Sequence, residues 1–328
     1  MGFAGIIGQG RQLEILRLAL AKDRLHHAYL FTGPEGVGKR CTALALALAI
    51  HCVEKNGDYC GRCVECERIK DRNHPDVRMV EPLEGKKEIS IQQIRDVEKE
   101  LRYRSFSGGR KITIIDPATL LNSASQNALL KTLEEPPDNS LLILIAASAG
   151  ALLPTLRSRC LQLSFGPLPR NLIAGFLVSE KSMKPKDAEI LAALSAGSLG
   201  AALEMDGEDL RERRRVWVGI LAALRAGDYR GAMDAAEVLG VSRDEALDFL
   251  QWAESWYRDL MIHGLRGDAE GVVNLDMLTE LQRGSAQAVL ERLLSSAADA
   301  AGAAKKIQRN LNRRMVLEQF LFGVVRGV

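Results

Sequence analysis

Short aliphatic runs alternate with helical patterns through the first half of the chain, and this alternation constrains the fold more than any other feature. The runs are five to seven residues long, as expected for strands buried on both faces of a parallel sheet. The sequence therefore predicts a doubly wound α/β domain that ends near Phe165. The predicted strands are Ala28–Thr32, Val77–Glu81, Lys111–Asp116, Leu141–Ala147 and Cys160–Phe165.

Two of the intervening helices carry recognisable boundaries. Ser90 and Gln93 have the capping-box spacing, which predicts a helix from there to about Arg104. Another helix is predicted to begin at Asn122 or Ser123 and to end before the proline pair at 136–137, because proline cannot continue a helix.

Beyond residue 166 the strand-like runs stop, and Ala, Leu, Glu and Arg dominate the sequence. This change predicts three domains, with an α/β domain over residues 1–166 and only helices after it. A small helical domain is expected over 167–207 and a larger one over 208–328.

A glycine-rich segment lies between the first predicted strand and the next helical run. Gly33, Gly36, Gly38 and Lys39 match the phosphate-loop pattern, in which backbone N–H groups and a lysine bind phosphate oxygens. The following residue is usually Ser or Thr, whose hydroxyl binds Mg²⁺, but here it is Arg40. The sequence therefore predicts ATP or ADP binding without productive metal placement; an ordinary glycine-rich turn is the alternative.

The third predicted strand ends in Asp116, as in the second acidic motif of ATPases. Hydrolysis also requires a carboxylate directly afterwards to polarise the attacking water, and this chain has Pro117 there. Glu134 and Glu135 belong to a later helix and do not replace it by position. Asp116 alone is equally compatible with a strand-end residue that caps a turn.

Four of the six cysteines lie within 15 residues, at positions 52, 60, 63 and 66. Thiolates at such short spacing can surround one tetrahedral Zn²⁺ with no open coordination position, which indicates a structural site. Reduced, unligated thiols are the alternative. Four clustered thiols favour metal binding in a reducing compartment, so that we expect a cytoplasmic protein.

Several longer segments together resemble the delta-prime branch of the bacterial clamp-loader family, which belongs to DNA polymerase III and is related to its gamma/tau motor subunit. The cysteine insert after the phosphate-loop helix has the same place in that family. Its interval between Cys52 and Cys60 is shorter than the family pattern leads us to expect, so that His51 is the alternative fourth ligand. The segments are HHAYLFTGPEGVGKR (26–40), NALLKTLEEPP (127–137), LLPTLRSRC (152–160) and IQRNLNRRMVLEQFL (307–321).

The resemblance implies a RecA-like AAA+ core, an all-α lid and an all-α C-terminal collar domain. It also implies a hetero-pentamer with gamma/tau motor subunits and a delta subunit, which acts on a sliding clamp and primer–template DNA. Where the motor subunit has polar sensor residues this chain has Ala146 and Ala147, and the lid segment Gly197–Gly200 lacks the motor's arginine. Arg159 of the Ser-Arg-Cys motif remains, and the family uses it as an arginine finger in a neighbour's ATP site.

Two other functions remain compatible with the sequence. An active motor-type ATPase would use Lys39 and Asp116 but would have to function with Arg40 and Pro117. A zinc-dependent nucleic-acid-binding module would use the basic clusters around 211–215 and 305–314, but the small net charge favours solvated helix faces or subunit-interface charges as the explanation of those clusters. The net charge of only +2 argues against a DNA-coating protein, and no apolar run reaches the ~18 residues of a membrane span.

Overall fold

The computed structural model describes residues 2–54, 57–205, 207–268, 271–286, 289–309 and 311–327. They form two compact units. The first comprises the chain up to Ile173 together with Ala196–Leu203, and the second comprises Ala174–Ser195 together with the chain from Glu204 onward. The predicted boundaries after residues 166 and 207 stay predictions.

The first unit contains one parallel sheet of five strands in the order β2-β3-β4-β1-β5. The three central strands are buried along their whole length, whereas the two edge strands are partly exposed. This sheet confirms the predicted parallel α/β domain. The strands are β1 (Ala28–Thr32), β2 (Val77–Val80), β3 (Lys111–Ile115), β4 (Ser140–Ala146) and β5 (Leu161–Ser164).

Helices cover both faces of the sheet, and the remaining regular elements of the described residues are also helices. None of the helices in the described part of the chain is long and apolar enough to cross a membrane. They are α1 (Gly10–Ala21), α2 (Lys39–His51), α3 (Val64–Lys70), α4 (Ile91–Leu101), α5 (Ser123–Glu134), α6 (Pro154–Arg157), α7 (Arg170–Lys181), α8 (Pro185–Leu194), α9 (Leu199–Glu204), α10 (Gly207–Ala223), α11 (Tyr229–Leu239), α12 (Arg243–Arg266), α13 (Leu278–Ser285), α14 (Leu290–Gln308) and α15 (Arg313–Gly327).

Helix α4 begins as predicted but ends three residues early. The Ser90 side chain accepts a hydrogen bond from the Gln93 N–H, and the Gln93 side chain accepts one from the Ser90 N–H. After Leu101 the chain turns away because buried Asp76 accepts hydrogen bonds from the N–H groups of residues 106 and 107 at 3.0 and 2.8 Å. Burial alone would raise the pKa of Asp76, but its hydrogen bonds outweigh this effect and lower the pKa to about 2.

The core of the second unit contains a buried polar network among its apolar side chains. The fully buried Arg214 guanidinium donates to the Asp276 carboxylate at 2.9 and 3.1 Å and to the Asn274 amide oxygen at 2.6 Å. The Trp252 indole N–H donates to the same amide oxygen, and Asp259 accepts the Asn274 amide N–H at 2.7 Å. The network joins α10 and α12 to the segment before α13.

Replacing Arg214 with Ala is expected to lower the free energy of unfolding of the second unit by about 3 kcal/mol, because the change removes a fully buried side chain together with its charged hydrogen bonds to Asn274 and Asp276. The neighbouring Arg215 is exposed, and its replacement with Ala should change stability by less than ~0.5 kcal/mol. Chemical denaturation followed by tryptophan fluorescence measures this unit, which contains all three tryptophans of the chain. Equal stability of the two variants would contradict the assigned network.

Candidate functional site

The glycine-rich loop lies between β1 and the amino-terminal end of α2, at the carboxyl edge of the sheet. Gly33, Gly36 and Gly38 have φ values of 139°, 70° and 101°, which side-chain-bearing residues rarely adopt. A Cβ atom on Gly33 would collide with the carbonyl oxygen of Phe165, and one on Gly36 would collide with the Ser198 hydroxyl. The backbone therefore has the left-handed turns that direct successive N–H groups toward an anion.

Lys39 lies inside this loop. Its Nζ atom donates hydrogen bonds to the carbonyl oxygens of Gly33 at 2.6 Å and Pro34 at 2.5 Å. Burial lowers the pKa of Lys39, and the nearby Glu35 and Asp116 carboxylates oppose that shift. The two loop carbonyls thus hold the ammonium group inside the loop, and its role in phosphate binding stays a prediction.

Arg40 extends from the first turn of α2 to the carboxyl ends of β2 and β3. One Nη atom lies 2.5 Å from a Glu81 carboxylate oxygen, and the other lies 3.5 Å from a carboxylate oxygen of Asp116. Burial raises the pKa of Asp116, whereas Arg40 lowers it. Thr42 does not supply the missing metal-binding hydroxyl. Its side chain is fully buried, and its Oγ1 donates to the Gly38 carbonyl at 2.9 Å.

Three further positions near the loop carry no polar side chain: Pro117, Ala146 and Gly200. Pro117 directly follows Asp116, and Ala146, at the end of β4, pairs in register with Thr32 of β1. Gly200 stands where a motor-type lid would have its arginine, and its N–H donates to the Gly36 carbonyl at 3.0 Å. The loop is therefore bordered by a backbone contact instead of a cationic side chain at this point.

Arg159 follows the short helix α6, just before β5, on the surface of the first unit. Its guanidinium donates to the Thr155 carbonyl at 2.8 Å and pairs with the Glu134 carboxylate at 2.6 Å, while 34% of the side chain remains exposed. It borders an open cavity of about 500 Å³ that is also lined by His26, His27 and Glu134. Arg157 belongs to α6 itself and does not line this cavity.

The four clustered cysteines converge. One sulfur atom from each of Cys52, Cys60, Cys63 and Cys66 lies within 4.8 Å of the others. The His51 ring is turned to other partners: its Nδ1 lies 3.3 Å from the Ser107 hydroxyl, and the ring packs at a tilted angle against His74 with centroids 4.4 Å apart. The convergence of four thiols fits a closed tetrahedral zinc site, with Cys52 and not His51 among the ligands.

Hydrogen bonding makes the thiols of the cluster unequal. Burial opposes ionisation of Cys63, but hydrogen bonds from the Val53 and Cys66 backbones and from neighbouring thiols lower its pKa to about 6. Burial, followed by the neighbouring thiols, raises the pKa of Cys66 to about 12. Thiolates are the form that binds zinc, and a bound zinc ion would supply the positive charge that keeps all four deprotonated.

Two acidic residues of these sites were not recognised in the sequence as functional. Glu81 pairs with Arg40, and Glu134 pairs with Arg159. Glu81 had a usable signal, because a predicted strand ended in an acid and β2 neighbours β3 in the sheet. The contact of Glu134 with Arg159 had no signal in the sequence, because α5 and α6 approach one another only in the folded chain.

The sheet order, the glycine-rich loop after β1 and the acid after β3 define a phosphate-loop protein with a RecA-like AAA+ core, followed by helices. A family model described as DNA polymerase III, delta subunit, matches residues 8–169. DNA polymerase III subunit delta' of Pseudomonas aeruginosa is 33% identical over 303 residues, which cover 90% of each chain. The chain belongs to the DNA polymerase III delta-prime subunit family.

Two further relatives define the extent of the similarity. DNA polymerase III subunit delta' of Bacillus subtilis is 28% identical over 341 residues, which cover 97% of each chain. DNA polymerase III subunit tau of Escherichia coli is 34% identical over 209 residues, which cover 62% of this chain and 32% of tau. The similarity to delta-prime subunits thus extends into the C-terminal helices, beyond the α/β core.

Proposed function

We propose that this chain is a non-hydrolysing clamp-loader subunit, which helps to hold the loader ring together and supplies Arg159 to a neighbour's ATP site. The observation that carries the proposal is the contrast between the two sites. Arg159 lies partly exposed beside an open cavity, whereas the chain's own phosphate loop is flanked by Arg40 and Pro117.

The absence of intrinsic hydrolysis follows from the groups beside the loop. Hydrolysis at a phosphate loop of this class needs a carboxylate that polarises the attacking water and a metal ion that neutralises the developing charge. Pro117 has neither a carboxylate nor a backbone N–H, and Arg40 offers no lone pair to a metal ion. Glu134 is paired with Arg159 and cannot replace the carboxylate from there.

The role of Arg159 in trans follows from its position. A guanidinium presents several N–H donors in one plane, which suits the transferring phosphoryl group of a partner. The Thr155 carbonyl orients one edge of the guanidinium, and the open cavity leaves room for an anion beside it. A triphosphate carries more negative charge than the Glu134 carboxylate and would displace it.

The partners of the proposed ring are gamma/tau motor subunits and a delta subunit, in a hetero-pentamer that loads a sliding clamp onto primer–template DNA. Similarity to both delta-prime and tau chains supports this assignment. Large apolar side chains exposed on the packed pair α11 and α15 support a contact role for the C-terminal helices. They include Val238 on α11 and Met315 on α15, which are 61% and 67% exposed.

The purified chain is expected to show no ATP turnover above background, even with DNA and clamp, because both hydrolytic groups are missing. A phosphate-release assay on the isolated chain, with an assembled loader as positive control, measures this directly. DNA-stimulated turnover that disappears in a Lys39→Ala variant would overturn the proposal and identify a motor-type ATPase.

A further inference from the structure

The Arg40 side chain stands where nucleotide-binding phosphate loops place a metal ion. In such sites the residue after the lysine offers a hydroxyl to Mg²⁺, and the acid after the neighbouring strand supports the ion. Here the Arg40 guanidinium lies between Asp116, 3.5 Å away, and Glu81, 2.5 Å away. The second Glu81 oxygen accepts from Arg72 at 3.1 Å, which fixes the carboxylate in place.

The donor set does not fit Mg²⁺. Mg²⁺ requires oxygen ligands in near-octahedral geometry, and a guanidinium has only N–H donors and a fixed positive charge. The nearest hydroxyl on α2, that of Thr42, is fully buried and donates to the Gly38 carbonyl. A cation beside Asp116 would therefore lie against the Arg40 charge, with no side-chain hydroxyl to hold it.

The loop itself retains the features that bind phosphate. Three glycines keep the left-handed turns, and Lys39 remains inside the loop. Without a counter-charge, Asp116 and Glu81 would repel an anionic ligand at this edge of the sheet. Arg40 neutralises part of that charge, and 36% of its side chain remains exposed, so that a ligand in the loop can approach the guanidinium.

We propose that this phosphate loop binds a nucleoside di- or triphosphate without a divalent metal ion, with the Arg40 guanidinium supplying the positive charge that Mg²⁺ supplies elsewhere. The inference rests on the part of the proposed function in which the loop still binds nucleotide. It does not depend on Arg159, and it gives the substitution at position 40 a role beyond the loss of hydrolysis.

The test is a titration of the full chain with ADP and with ATP, once with Mg²⁺ and once with EDTA, by calorimetry. Equal dissociation constants in the two conditions are expected for the parent. An Arg40→Thr variant restores the hydroxyl and should bind about tenfold more tightly with Mg²⁺ than with EDTA. Arg40→Lys keeps the charge and should remain independent of the metal, and Lys39→Ala should lose binding in both conditions.

Each adverse result has a separate meaning. Parent binding that requires Mg²⁺, or an Arg40→Thr variant that remains indifferent to Mg²⁺, would overturn the role of Arg40 and leave nucleotide binding intact. Lack of binding in both conditions would overturn nucleotide binding as well, but not the role of Arg159. Circular dichroism of each variant shows that the sheet is retained.

Discussion

Replacing Arg159 with Ala should slow ATP hydrolysis at the neighbouring site by roughly 10³-fold, the lower end of the range for arginine fingers. The physical reason is the loss of a fixed positive charge at the place where negative charge develops on the phosphoryl group. The effect is measured in rings whose only intact ATP site is the one facing this chain, so that other motor sites do not hide it. Ring assembly, followed by size-exclusion chromatography, should be unchanged.

Arg157→Ala is the matched control, since it removes the same charge two residues away. It should leave turnover close to that of the parent. Arg159→Lys should give an intermediate rate, because an ammonium keeps the charge but not the planar pair of donors. Parent-like turnover in intact rings that carry Arg159→Ala would contradict the proposed arginine finger.

Replacing Cys66 with Ser is expected to remove one zinc ion per chain and to unfold the cysteine module locally. Structural zinc sites carry roughly 10–16 kcal/mol of binding free energy in small peptides. Buried Cys52 and Cys66 pack with Leu48 and Ile69 and contribute only a small apolar cluster of their own. The metal is therefore expected to be the main source of stability for α3, whose amide hydrogen exchange should accelerate strongly.

Metal content by elemental analysis and hydrogen exchange by mass spectrometry measure this effect together. Cys41→Ser is the control, because Cys41 is exposed and lies outside the cluster. The Cys41→Ser variant should retain one zinc ion, and amide hydrogen exchange in α3 should remain slow. A parent chain that binds no zinc, or a Cys66→Ser variant that retains it with unchanged exchange, would refute the structural zinc site.

The strands could be predicted from the sequence almost to the residue. Continuous burial on both faces leaves a continuous aliphatic run, and this signal is local. The end of α4 could not be predicted, because the carboxylate that accepts the hydrogen bonds of the turn belongs to Asp76, which is distant in sequence. Tertiary contacts thus overrode helical propensity after Leu101.

The candidate site was predictable as a set of residues but not as a set of contacts. Glycine spacing and clustered cysteines identify the phosphate loop and the thiol cluster, because those chemistries need fixed intervals along the chain. The partners of Arg40 and Arg159 come from other elements, so that their pairing depends on the packing of side chains. Likewise, only the folded chain shows that the His51 ring packs against His74 and is not part of the thiol cluster.

The three buried central strands also explain how a nucleotide site can lose its reactive groups without loss of the fold. Arg40 lies in the first turn of α2, and Pro117 and Ala147 follow the ends of β3 and β4, so that none of the three side chains belongs to the sheet itself. Substitutions at these positions can remove hydrolytic groups while the sheet remains intact. A chain built on this sheet can therefore lack hydrolytic groups, as proposed, and still fold into the same core.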